Sequence, residues 1–97
     1  MKVMSININR KYNQNISIYD AVKADWVVGE QRYEVALVFA EYQGRVLKVF
    51  TCDGWKQNPN GRWEFWGTDV SDKYQKYIGT VLPKKKGQSN PIRYFEI

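Results

Sequence analysis

One stretch of the chain, Arg32 to Cys52, admits few folds. Tyr33, Val35, Leu37 and Phe39 alternate with Glu34, Ala36, Val38 and Ala40, and after Gln43-Gly44 the chain returns as Arg45-Val46-Leu47-Lys48-Val49-Phe50-Thr51. A period of two in β-branched and aromatic residues is the pattern of a strand. Glycine supplies the positive φ that a tight hairpin turn requires. A two-residue turn sets Leu37 opposite Phe50, Val38 opposite Val49 and Val35 opposite Cys52. One face then carries Val35, Leu37, Phe39, Val46 and Phe50, and the other Ala36, Val38, Ala40, Leu47 and Val49. Both faces are apolar, so the hairpin belongs at the centre of a sheet covered on both sides. The alanines leave room for a helix to approach closely.

A second turn, Asn58-Pro59-Asn60-Gly61, joins Trp55-Lys56-Gln57 to Arg62-Trp63-Glu64-Phe65-Trp66 and predicts a third antiparallel strand. Residues 32–66 thus read as a three-stranded meander. Residues 2–8 and 91–97 also have strand character and would complete the sheet. Ser17-Ile18-Tyr19-Asp20 has capping-box spacing, Ile18, Val22 and Trp26 share a helical face, and Gly29 stands where the run ends. Asp69 opens a second short helix in which Val70, Tyr74 and Ile78 share a face before Gly79. The expected fold class is α+β: an antiparallel β-meander of three to five strands, open or partly closed into a small barrel, with two short helices. A chain of 97 residues makes a single domain, 1–97, with a mobile basic loop over about 83–91 between two prolines.

Composition removes several function classes. No apolar run approaches the ~20 residues that cross a bilayer, and the alternating start lacks the continuous apolar stretch of a signal peptide. The lone cysteine, Cys52, excludes an internal disulfide, so a thiol-reducing, cytoplasmic location is expected. The absence of histidine removes the commonest general base and the commonest metal ligand together. Cys52 has no imidazole to activate it and reads as a small core residue. A metal site would need carboxylates alone. Asp69 and Asp72, with Asp53 as a third, are the candidates, but Asp-x-x-Asp at a helix start is explained by capping. No glycine-rich phosphate loop or zinc-ligand spacing is present. The sequence therefore predicts a protein that acts by binding, with no catalytic residue, no metal and no cofactor.

What it binds is suggested by charge and aromatics. The net charge is +5, and residues 56–97 hold eight basic against four acidic side chains, while residues 1–55 are nearly balanced. Four aromatics, Trp55, Trp63, Phe65 and Trp66, fall in one short segment at the start of that basic half and just before it. Phosphates and bases are met by this combination. The expected function is nucleic-acid binding, single-stranded or by shape, with Lys73, Lys76, Lys84, Lys85, Lys86 and Arg93 on phosphates and Arg62, Trp55 and Trp66 offering stacking. On the third strand Trp63 and Phe65 point one way and Trp66 the other, so one set is core. The alternative is a protein-binding accessory or inhibitor module, homodimeric in one form, that uses the same aromatics as an anchor.

Overall fold

The structure, a computed structural model, describes residues 1–12, 14–82 and 90–97. Its centre is β1 (Lys2–Asn7), which runs parallel to β2 (Val35–Tyr42). The crossover between these strands carries α1 (Ile18–Lys23), whose Ser17 hydroxyl accepts from the Asp20 amide at 3.0 Å as the cap spacing predicts. β2 turns at Gln43-Gly44, both with positive φ, into antiparallel β3 (Arg45–Thr51). β4 (Gly54–Gln57) and β5 (Trp63–Trp66) form a separate two-stranded hairpin. β6 (Ile92–Glu96) returns antiparallel to β1, giving a four-stranded sheet in the order β3-β2-β1-β6.

The α+β class, a mostly antiparallel sheet and few helices are therefore present, and the differences from expectation are specific. The sheet is not closed into a barrel, and one of its pairings, β1 with β2, is parallel. Residues 32–66 are not one meander: Glu30–Glu34 form a 3₁₀ turn, and the β4–β5 hairpin leaves the main sheet after Cys52. α1 ends at Lys23, so Trp26 does not extend its face but bridges to Trp63. The second helix is a 3₁₀ segment, Ser71–Tyr77, broken at Tyr74 by non-helical dihedrals.

The register corrects the face assignment as well. Tyr42 pairs with Arg45 and Glu41 with Val46, but Ala40 pairs with Lys48, so Leu47 is an extra residue. Beyond that bulge every partner shifts: Phe39 faces Val49, Val38 faces Phe50, and Leu37 faces Thr51. A second slip at the start of β1 passes over Ala36. Phe50 and Val35 consequently join Val38 and Ala40 on one face with Met4, Ile6 and Ile92, beneath Ala21, Val22, Trp26 and Phe65. The other face holds Val3, Leu37, Phe39, Val46 and Val49, covered by Leu82 with Val70, Tyr74 and Tyr77. Both faces are covered, as the apolar pattern required. No helix among the described residues is long and apolar enough to cross a membrane.

The outer edge of β3 is occupied. Thr51 N donates to Thr68 O at 2.8 Å and Val70 N to Val49 O at 2.9 Å, while Gly79 N donates to Val46 O at 2.7 Å. These short segments satisfy backbone groups that an edge strand would expose. The approach is close: a Cβ on Gly67 would lie 1.8 Å from the Thr51 carbonyl oxygen. Gly67→Ala is expected to lower the unfolding free energy by about 1–3 kcal/mol, read from urea denaturation, because this backbone contact must open. Asp69 fastens the same strip, accepting from Ser71 N at 2.9 Å and from Lys48 Nζ at 3.0 Å. The Ser71 hydroxyl and amide, ahead of Lys48, hold its carboxyl from 3.8 down to about 2. A lowered carboxyl stabilises fully above the unfolded value and loses that contribution as pH falls from 3.8 through about 2. Asp69→Asn should flatten the stability profile in that interval and leave its shape at neutral pH unchanged.

Candidate functional site

The parallel pairing of β1 with β2 brings their C-terminal ends to one end of the sheet, and the antiparallel pairing of β6 brings its start there too. Ser5, Phe39 and Arg93 fall in one cross-strand row, with Glu41 two residues beyond Phe39 on the same side. Glu41 is 1% exposed. Its Oε2 accepts from the buried Ser5 hydroxyl at 2.8 Å and from Arg93 Nη2 at 2.5 Å. The arginine side chain is itself 9% exposed, so this is a buried, charge-assisted pair. The other carboxylate oxygen, Oε1, is buried with no hydrogen-bond partner among the described residues.

Above this pair lies a cavity of about 580 Å³ whose lining includes Arg10, Lys11, Trp26, Glu41, Arg62 and Arg93. Each reaches it for a local reason. Ile8 N donates to Glu41 O, and Lys11 N and Tyr12 N both donate to Ile8 O, a turn that sets Arg10 and Lys11 at the rim. Trp26 and Trp63 exchange two backbone hydrogen bonds of 2.9 and 2.8 Å, which carries Arg62 alongside. The Lys11 ammonium donates to the Ala24 carbonyl and lies 4.4 Å from the centroid of the Trp26 ring. Burial lowers its pKa; Asp25 opposes that and Arg62 adds to it, which places a second cation nearby. Among the described residues, no ion pair engages Arg10 or Arg62, and both are exposed.

The residues singled out in the sequence do not form one surface. Arg62 and Arg93 line the cavity together. Trp66 is 50% exposed, at the opposite end of β5 from Arg62, with its indole over Gly54, where a Cβ would come within 2.3 Å of the ring. Trp55 is half-buried: its indole N–H donates to Arg32 O at 3.0 Å and its ring lies 5.7 Å from Phe65. Phe65 is the core residue of that strand, and Trp63 is covered by the Arg32 guanidinium at 3.6 Å. Lys73 and Lys76 are exposed on the 3₁₀ segment and do not line the cavity. Lys84, Lys85 and Lys86, with most of the 83–91 loop, lie outside the described residues. Sequence reasoning missed Arg10, Lys11, Trp26 and Glu41; the adjacent Arg10-Lys11 pair was the only local signal.

Burial first, and then Asp53, push the Cys52 thiol up to about 11, so at neutral pH it is a protonated, weakly nucleophilic group. No group of three or more potential metal-ligating side chains occurs among the described residues. Asp69 is engaged by Ser71 and Lys48. Compared with family models, with curated proteins and with solved structures, the chain matches none.

The buried pair is the part of this site with the clearest energetic consequence. Arg93→Ala would leave Glu41 charged and without its cation in the interior and should cost about 3–5 kcal/mol in guanidinium unfolding. Replacing both partners, Glu41→Met with Arg93→Met, should recover most of that loss, since a well-packed apolar pair needs no compensating charge.

Proposed function

We propose that the protein binds single-stranded nucleic acid through this cleft, with Arg10, Lys11 and Arg62 meeting phosphates above the buried Arg93. The observation that carries the reading is convergence: four cations from three separated stretches of chain line one concave cavity, and three of them, Arg10, Lys11 and Arg62, have no ion-pair partner among the described residues. Like charges repel, so a fold that assembles them without matching carboxylates leaves a field suited to an anion. A concavity of this size encloses a ligand of small-molecule dimensions and favours an unpaired strand over the convex rails of a duplex. The exposed Trp66 offers a stacking platform outside the cleft.

Quenching of tryptophan fluorescence by a mixed-sequence single-stranded oligonucleotide tests this reading. Log affinity should fall against log salt with a slope of about −2 to −3 for three to four phosphate contacts, and Arg62→Ala should flatten that slope by about 0.7. No binding at about 50 mM salt, where phosphate contacts are strongest, would remove the proposal.

A second reading, a protein-binding module, is favoured by one observation. Trp66 belongs to the hairpin that covers one face of the sheet, whereas Lys73 and Lys76 belong to the segment over the other. An exposed indole remote from those lysines is what a protein contact would use. Loss of binding to a partner protein in Trp66→Ala, with oligonucleotide affinity unchanged, would support it.

A further inference from the structure

The charge balance of the cleft constrains which phosphate it takes. Arg10, Lys11, Arg62 and Arg93 line it with a single acidic side chain, Glu41. That carboxylate is held by Arg93 and by Ser5, beneath the cavity. Arg10, Lys11 and Arg62 remain above it. A further carboxylate, Asp25, acts on Lys11 but accepts from the side-chain amides of Asn58 and Asn60 and is not part of the lining. A single internal phosphodiester carries one negative charge and would leave most of this field unmatched. A terminal phosphomonoester carries about −1.5 to −2 at neutral pH and three acceptor oxygens. Together with the adjoining phosphodiester it matches the three cations that no ion pair engages among the described residues.

The donors fit the same ligand. Guanidinium groups present planar forks that engage two phosphate oxygens at once, and Arg10 and Arg62 both have theirs available. Lys11 adds a point charge fixed against the Trp26 ring. Such contacts gain strength where water is partly excluded, and the ammonium of Lys11 is already partly desolvated.

We infer that the cleft is a receptor for the phosphorylated end of a single-stranded nucleic acid: Arg10, Lys11 and Arg62 grip a terminal phosphomonoester above the buried Glu41–Arg93 pair. This rests on the nucleic-acid reading above and narrows it from backbone in general to chain ends. A phosphate at the 5′ end and one at the 3′ end present the same group, so the chemistry is shared and the experiment distinguishes them.

The test uses the whole protein and one short oligothymidylate in three forms: 5′-phosphate, 3′-phosphate and hydroxyl at both ends. Competition at pH 7.5 should show one phosphorylated form binding about tenfold or more tighter than the hydroxyl form, the gain expected of one or two charge-assisted contacts. The end that carries the advantage identifies the source. The advantage should shrink below about pH 6, where the monoester dianion takes up a proton and becomes singly charged like the internal phosphodiesters. Arg10→Ala and Arg62→Ala, both at exposed positions, should each reduce the ratio between the two forms. Equal affinity for all three forms would overturn the inference and leave general single-strand binding standing. No binding of any form would remove both.

Discussion

A sheet that is apolar on both faces must be covered on both faces, and this chain has only 97 residues with which to do it. Everything outside the four-stranded sheet answers to that demand. One face receives the short helix and the β4–β5 hairpin, with Ala21, Val22, Trp26 and Phe65 against Met4, Ile6, Val38 and Ala40. The other receives a 3₁₀ segment and Leu82 against Leu37, Phe39, Val46 and Val49. The chain crosses from one face to the other around β3, and the crossing segments serve a second purpose by closing the edge of that strand. Elements this short would not be stable in isolation. They hold because each caps an apolar surface that is already fixed.

The apolar covering does not extend evenly along the second face. Where β1 and β2 end and β6 begins, Ser5, Glu41 and Arg93 replace aliphatic side chains. Taking a carboxylate out of water is costly, and among the described residues the site repays only part of that cost: one oxygen has two donors and the other has none. Here the carboxylate orients the guanidinium beneath the cleft.

What could be read in the sequence, and what could not, divides by distance along the chain. The β2–β3 hairpin, its burial on both faces, the Ser17 cap and the strand character of both ends were legible, because each is written in neighbouring residues. The faces of Val35 and Phe50 were not, since neither the skipped Ala36 nor the extra Leu47 differs from a regular strand residue in type. Nor was the departure of β4 and β5 from the main sheet, which depends on how residues 67–70 seat against Thr51. Arg93 was found because the C-terminal half is conspicuously basic, and Arg62 because strand alternation sets it on the same side as Trp66. Arg10 and Lys11 were overlooked because the half they lie in is almost neutral overall. Their role depends on β1 lying beside β6 and on Trp26 meeting Trp63, contacts between segments far apart in sequence. Trp55 drew notice as an aromatic, yet its hydrogen bond to Arg32 ties it inward.

The extra residue in β3 acts as a change of phase within a single strand. Val46 and Val49 lie three positions apart yet serve the same core cluster, which an uninterrupted strand forbids because its side chains repeat every second residue. Residues before Leu47 and residues after it therefore obey opposite parities. A one-residue insertion or deletion between Val46 and Val49 would not lengthen or shorten the strand by a small amount. It would exchange the inner and outer allegiance of one whole segment, sending Phe50 or Val46 to the wrong layer. Variation in length is thus confined to the connections, while the spacing within this strand is fixed to the residue.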